Sequence, residues 1–394
     1  MRIAIVTPIL PVPFDVTRGR FIYEEAKSLS RMAEVKVFLQ LARYPRLGGL
    51  LPRSYIDGRV DPGQRWEGLD VEAYEYPAFP VLSRPFNGHL GAARLKPRLR
   101  RFAPDVVIAF WAYPEGLSGV RAAHALGKPC VVGVLGSDVL VRAGVAERMT
   151  RTALHEADGV IAVSDDLKRV LMSRYGVAGD AVRTIVNGFN TGVFNARPQA
   201  ECRAELGLPA DGRLIVYVGR LIEAKGLREL FAAFGALAQQ DPAIRLAIVG
   251  DGVMRDEVHR LAQQGGLDGR VHLPGGLPPE QVARWIGASD LLTLPSWSEG
   301  YPNVVVEALA CGRPVVGTDV GGMREILHDD NGVLVRPRDA DALAAALRQC
   351  LARDWDRAAI AAAMSRTWDD VARDTLAVCE AVLARPVEKV AAGA

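Results

Sequence analysis

Cysteine is scarce and shows no pairing pattern. The five thiols, at positions 130, 202, 311, 350 and 379, include no C-x-x-C pair. That excludes a disulfide or zinc framework and suits buried thiols in a reducing cytosol. Long apolar runs are also lacking. No stretch reaches about 18 uninterrupted apolar residues, so no transmembrane helix is expected. The opening M-R-I-A-I-V-T-P-I-L-P is too short and too interrupted by proline for a signal peptide, and reads as a first strand. The six histidines have no partner spacing, so each reads as structural and no metal site is expected.

Net charge is small, +2, but uneven. Residues 1–195 hold 26 Lys and Arg against 19 Asp and Glu, and the remainder holds 22 against 27. A basic first half suits anionic lipid, a lipid diphosphate or nucleic acid, and equally an ordinary solvated surface. No nucleic-acid partner is assigned. Hydrophobic content of 49% and charged content of 24% are those of a globular chain, and 394 residues suffice for two domains.

Short apolar runs alternate with helical patterns, which argues α/β structure with parallel sheets, because parallel strands need crossover helices. First-half strand candidates are Ile3–Val6, Val35–Leu39, Val106–Phe110, Cys130–Leu135, Val160–Val163 and Arg183–Val186. Second-half candidates are Leu214–Val218, Arg245–Val249, Val271–Leu273, Leu291–Leu294, Val315–Gly317 and Gly332–Val335. Each set makes one doubly wound sheet. The junction is expected in the turn-rich stretch Asn187–Pro198. Ligands in such sheets bind outside the carboxyl ends of the strands.

Two loops at such positions carry chemistry. Ser296–Gly312, S-W-S-E-G-Y-P-N-V-V-V-E-A-L-A-C-G, follows an apolar run. Pro302 is expected at the first position of a short helix over Val304–Cys311, closed by Gly312. Glu299 and Glu307 bracket the helix start, whose unpaired amides favour an anion. Arg220 and Lys225, in G-R-L-I-E-A-K-G, follow the first strand of the second half. Two fixed cations there suit a diphosphate leaving group.

E-G-Y-P-N-V-V-V-E resembles the E-x7-E motif of the retaining glycosyltransferases of GT-B fold, the large family-four group (glycosyl transferases group 1). G-R-x-x-x-x-K-G resembles that family's diphosphate-binding element. The resemblance implies two Rossmann-like doubly wound domains facing across a cleft. Residues 1–190, with a last helix crossing back over about 369–394, would form the acceptor side, and 196–368 the nucleotide-sugar side. It implies sugar transfer from a nucleotide-diphospho-sugar to a glycan or lipid-linked acceptor, in bacterial cell-surface polysaccharide or glycolipid synthesis. By resemblance Glu307 would bind the ribose and Glu299 the donor sugar. Arg220, Lys225 and the backbone from Gly300 through Tyr301, Pro302 and Asn303 to Val304 would hold the diphosphate. The loop Leu273–Pro279, with Gly275, would hold the base, and Gly19 would reach the phosphates. No cofactor is expected beyond the donor substrate.

Phe110–Gly119 resembles the family's Y-P-x-G turn, and Gly136-Ser137-Asp138 its G-S-D element. Leu135 stands where many relatives carry His or Arg. Asp138 is a candidate for acceptor binding or proton removal, with a helix N-cap as the structural alternative. Asp339-Ala340-Asp341 and Asp354-Trp355-Asp356 read as helix N-terminal charges rather than metal ligands. Arg84–Arg101, with Arg84, Arg94, Lys96, Arg98, Arg100 and Arg101, reads as a basic amphipathic segment interrupted by Pro97. It is a candidate for contact with an anionic membrane surface, or a solvated helix face. The expected location is cytoplasmic, peripheral at the inner membrane face. The rival functions are another GT-B activity, such as a sugar-nucleotide epimerase or phosphorylase, and a non-catalytic sugar-nucleotide binder.

Overall fold

The computed structural model describes residues 1–13, 15–45, 60, 63–79, 82–264, 266–267 and 269–385. Much of 41–65 and the end of the expected C-terminal return, 386–394, lie outside the described residues. The chain divides into two units. The first holds residues up to Val186, apart from Asp15–Thr17, together with those from Trp368 onward. The second holds Asn187–Thr367 with Asp15–Thr17.

The first unit is built on seven strands: β1 (Arg2–Thr7), β2 (Glu34–Arg43), β3 (Asp70–Pro77), β4 (Val106–Phe110), β5 (Cys130–Val134), β6 (Gly159–Ala162) and β7 (Val182–Thr184). Their order is β3-β2-β1-β4-β5-β6-β7, and every pairing is parallel. The central strands are continuous apolar runs because helices cover both faces. β1, β4 and β5 accordingly bury nearly every residue. Of these seven, β3 does not announce itself in the sequence. Its V-E-A-Y-E-Y pattern alternates charge with tyrosine, which suits an edge strand with one wet face. Tyr74 and Tyr76 are buried while Glu75 is exposed.

The helix Arg20–Leu29 leads from β1 to β2, and the last helix, Trp368–Leu383, packs against it. Trp368, Val371, Ala372, Cys379 and Val382 join the core of this unit. Thr375 donates to Glu25 Oε1 at 2.7 Å, and Arg31 pairs with Asp369. The basic segment forms one helix, Asn87–Phe102, that runs through Pro97. The expected interruption does not occur. Leu95, Leu99 and Phe102 anchor the helix on both sides of the proline, and a proline removes only one main-chain hydrogen bond from such a helix.

The second unit has six strands: β8 (Arg213–Val218), β9 (Ile244–Val249), β10 (Val271–Gly275), β11 (Leu291–Leu294), β12 (Val315–Thr318) and β13 (Gly332–Val335). Their order is β10-β9-β8-β11-β12-β13, again parallel. All six match the apolar runs of the second half. The end of the chain carries three helices, Ala340–Ala352, Arg357–Ala362 and Trp368–Leu383. Asp339 and Asp356 cap the first two, accepting from Ala342 N at 2.8 Å and Ala359 N at 2.9 Å. The D-x-D strings thus serve as helix starts. All five cysteines are buried free thiols. No helix among the described residues is long and apolar enough to cross a membrane.

Candidate functional site

Strand order reverses direction at β8 in the second unit, where β9 lies on one side and β11 on the other. At such a switch point the neighbouring loops diverge and leave room for a ligand at the carboxyl ends. The loop after β8 carries Arg220 and Lys225. The loop after β11 carries Glu299. β8 and β11 are adjacent in register, with Leu291 opposite Ile215 and Leu292 opposite Val216. Two motifs separated by 74 residues therefore meet, and Lys225 Nζ lies 2.5 Å from Glu299 Oε1. Both side chains are mostly shielded, at 16% and 11% exposure. Arg220, in the same loop as Lys225, is exposed.

Backbone geometry fixes this contact. After β8 the chain makes a short turn, Glu223–Lys225, that ends at Gly226 in a left-handed conformation, φ 67°. A Cβ on Gly226 would overlap the carbonyl oxygen of Pro295, so only glycine lets the β8 loop lie on the β11 loop. Trp297 N donates to Ala224 O at 2.8 Å, a second tie between the same loops. Gly321 does the equivalent on the other flank. Its φ is +53°, and a Cβ there would overlap the carbonyl oxygen of Glu299. Gly322 N donates to Gly300 O at 3.1 Å. The G-G turn after β12 thus clamps the loop that bears Glu299.

The helix that follows spans Asn303–Ala310. Pro302 is its N-cap with extended backbone (φ −83°, ψ 92°), one position before the expected place. A short loop must turn out of β11 before the helix begins, and the proline closes that loop rather than opening the first turn. Asn303 Oδ1 accepts from Asn187 Nδ2 at 2.9 Å, and Val304 and Glu307 are half-buried. Burial pushes the Tyr301 phenol up to about 12, with Arg366 opposing. Gly275 ends β10 and accepts from Gly250 N at 2.8 Å.

Tyr217 escapes a sequence reading. It is fully buried in β8, and its hydroxyl donates to Arg220 O at 2.9 Å, holding the loop from beneath. Burial raises its pKa well above that of a free phenol, with the Glu299 charge adding to the effect. The available signal is a hydroxyl-bearing aromatic in an otherwise aliphatic strand, two residues before Gly219. Trp297 is similarly placed. Its indole donates to Glu229 Oε1 at 3.2 Å and lies 4.2 Å from the Arg338 guanidinium.

In the first unit the switch point lies between β1 and β4. Gly19 is left-handed, φ 62°, at the start of the helix Arg20–Leu29. Asp138 is fully buried. It accepts from Ala112 N at 3.1 Å, Leu135 N at 3.1 Å and Gly136 N at 2.9 Å. It sits inside the helix Ser137–Leu140 rather than at its N-cap, and ties the loop after β5 to the Y-P-E-G turn after β4. Those amides partly offset a burial that raises its pKa. The carboxylate faces main chain, because three amides at the strand ends would otherwise be left without acceptors. Beside it Glu115 is buried and pushed up to about 8 by that burial.

Comparison with known proteins agrees with this architecture. The model of the family described as Glycosyl transferases group 1 matches residues 198–366, and that of Glycosyltransferase Family 4 matches residues 19–193. The chain is 30% identical over 357 residues, 88% of each chain, to the Bacillus subtilis protein named "Putative teichuronic acid biosynthesis glycosyltransferase TuaC". It is 31% identical over 353 residues to a D-inositol 3-phosphate glycosyltransferase of Nocardioides sp., covering 78% of this chain and 77% of that one. Among solved structures, a glycosyltransferase from Rickettsia africae superposes with TM-score 0.74 at 19% identity, covering 98% and 99% of the two chains. Anabaena Alr3699/HepE in complex with UDP superposes with TM-score 0.74 at 22% identity, covering 97% and 100%. The fold is GT-B, and the chain belongs to the family-four group of glycosyltransferases.

Proposed function

We propose that the chain transfers a sugar, with retention of anomeric configuration, from a nucleotide-diphospho-sugar to a glycan or lipid-linked acceptor in the synthesis of a bacterial surface polysaccharide or glycolipid. The observation that carries this is the Lys225–Glu299 contact, made at the switch point of one sheet between the loop that bears Arg220 and the loop that leads into the helix Asn303–Ala310. Cations and first-turn amides suit a diphosphate, and carboxylates suit sugar hydroxyls. The names of TuaC and of the UDP-bound structure are consistent with such substrates. Glu307 is assigned to the ribose hydroxyls, Glu299 to the donor sugar, and Gly275 with its loop to the base.

In the proposed step the bond from the anomeric carbon to the diphosphate oxygen breaks, and its electron pair goes to that oxygen. Arg220, Lys225 and the amides of Gly300 through Val304, including Tyr301 and Asn303, stabilise the growing charge. This is the term that preorganised sites supply most strongly. These fixed charges are assigned the part a metal ion plays in other transferases. The acceptor hydroxyl attacks from the face of departure, and its proton passes to the leaving phosphate oxygen. Asp138, buried on three amides, is assigned to holding the acceptor-side loops rather than to proton removal.

A thermal-shift screen against UDP, GDP, ADP and dTDP tests the donor site, with Glu307→Ala as control. A nucleotide at about 100 times its dissociation constant adds about 2.7 kcal/mol of stability. A shift for one nucleotide, lost in the variant, is expected. Acceptor-dependent release of nucleoside diphosphate then separates a transferase from a binder. Absence of any nucleotide shift overturns the reading.

A further inference from the structure

From Val106 to Tyr113 the first unit buries every residue but one. The exception is Trp111, the largest side chain of that run. It is half-buried and packs only in part on the core, between Phe110 and Ala112, which are buried completely or nearly so. Burial alone would favour the opposite arrangement, because a ring of that size has the most to gain from leaving water.

The backbone at Trp111 is strained. Its φ is 79° and its ψ 115°, outside the regions open to most side chains. Among the described residues only Ala103 and Arg338 also have a positive φ without being glycine, and neither carries a ring. Glycine would take this conformation without cost, yet tryptophan stands there, tied on three sides. Its N–H donates to Gly133 O at 3.0 Å, and its carbonyl accepts from Gly116 N at 2.7 Å. The next amide, Ala112 N, donates to the buried Asp138 at 3.1 Å. Strain held by its surroundings in this way clusters at sites of ligand binding and catalysis.

Trp111 is the first residue after β4, beside the switch point of its sheet. Ile9 follows the end of β1 by two residues, and Leu135 follows β5 directly. Both are half-buried on the same core. β4 pairs with β1 on one side and with β5 on the other. Trp111 therefore stands in the middle of a row of three apolar positions at the carboxyl ends, where ligands of such sheets bind. Two residues beyond Leu135 the exposed Ser137 ends the apolar character. The face of an indole is electron-rich and attracts the positive edges of other groups. A pyranose ring offers a face of C–H groups of that kind, with hydroxyls around its rim. An isoprenoid chain would need a longer apolar slot with no hydroxyl beside it.

We propose that Trp111 is the platform on which a pyranose ring of the acceptor stacks, its C–H face on the indole and its hydroxyls toward the rim that holds Ser137. The acceptor then ends in a sugar and is not a bare isoprenoid phosphate. Only the ring's part as acceptor rests on the transferase reading; its binding at Trp111 does not.

Fluorine NMR of the full chain labelled with 5-fluorotryptophan tests this. Six tryptophans give six signals, and the one missing from Trp111→Phe belongs to Trp111. The probes are the methyl glycosides of glucose, galactose, mannose and N-acetylglucosamine, with farnesyl phosphate as the isoprenoid control. The Trp111 signal is expected to move saturably with at least one glycoside and to stay in place with farnesyl phosphate. Trp111→Gly relieves the backbone and removes the ring. In that variant the KM for the octyl glycoside of the same sugar should rise about tenfold, the scale of one lost ring contact, while the KM for the nucleotide-sugar is unchanged. Trp111→Phe should recover most of the loss. Unmoved signals of Trp66 and Trp368, both in the core of the first unit, report that the variants fold. Silence with all the glycosides, an equal response to farnesyl phosphate, or a glycine variant with the parent's KM would overturn the proposal. A Trp111 response to a glycoside without any nucleotide-induced thermal shift would instead refute the donor reading and leave the sugar platform standing.

Discussion

Glu115→Gln isolates the free energy of ionising a buried carboxyl. The side chain is 4% exposed, and burial pushes it up to about 8 from an ordinary 4.5. Its own amide, Arg142 and Gln40 favour the charged form, while Asp138 opposes it. A carboxyl that keeps its proton longer in the fold than in the unfolded chain makes the native state the one with more protons bound between those two values. Stability then falls as pH rises from about 4.5 to about 8 and is level above that. At 1.36 kcal/mol per pH unit the full fall is about 3–5 kcal/mol. Glutamine has the shape of the protonated acid and cannot ionise. The variant should match the parent near pH 5 and exceed its stability by most of that amount near pH 8.5. Two units need not unfold together, so native-state hydrogen exchange at β4 and β5 reads the first unit alone. A parent–variant difference that stays constant across the window would refute the reasoning. A difference of opposite sign would place an ionised, paired Glu115 in the fold.

Three further outcomes concern the proposed donor site. Arg220→Ala should lower turnover by about 10²–10³, the scale for one lost charge-stabilising donor, and near-normal turnover in a nucleoside-diphosphate release assay would remove it from the mechanism. Lys225→Met and Glu299→Gln should each destabilise the second unit, and the double variant should recover part of that loss. A coupling of about 1–3 kcal/mol in urea unfolding is expected for a pair this shielded but not fully buried, and additive effects would show that the contact contributes nothing. Gly321→Ala should cost at least about 1–3 kcal/mol of unfolding free energy, because the new Cβ meets the Glu299 carbonyl and φ is positive. It should also weaken the nucleotide-induced thermal shift, whereas a neutral effect in both assays would show the clamp to be dispensable.

What could be read from the sequence depended on how each element is buried. The six strands of the second unit are apolar runs because both their faces are covered, and that signature is local. β3 hides because an edge strand with one wet face mixes glutamate with tyrosine. The residues proposed for the site, Arg220, Lys225, Glu299 and Glu307, stand out in the sequence as members of two loop motifs. The Lys225–Glu299 contact does not, because it is set by the adjacency of β8 and β11. Nothing local distinguishes Asp138 as a fully buried acceptor for three amides from Asp138 as an exposed base. Pro302 and Pro97 show the limit of punctuation rules. One sits outside the helix it was expected to open, and the other sits inside a helix it was expected to break.

The strand-end loops of the second unit are sewn to one another by main-chain atoms. Gly219 N reaches Val249 O, Leu221 N reaches Asp251 O, Gly250 N reaches Gly275 O, and Gly322 N reaches Gly300 O. A frame held this way is largely indifferent to which side chains it displays. If the proposed donor reading holds, substitutions at the displayed positions retune which base or sugar is preferred while the loops keep their places. Change at the few glycines that let the strands of the seam approach would unpick it. Variation among relatives of different specificity is therefore expected to concentrate in outward side chains and to spare the seam.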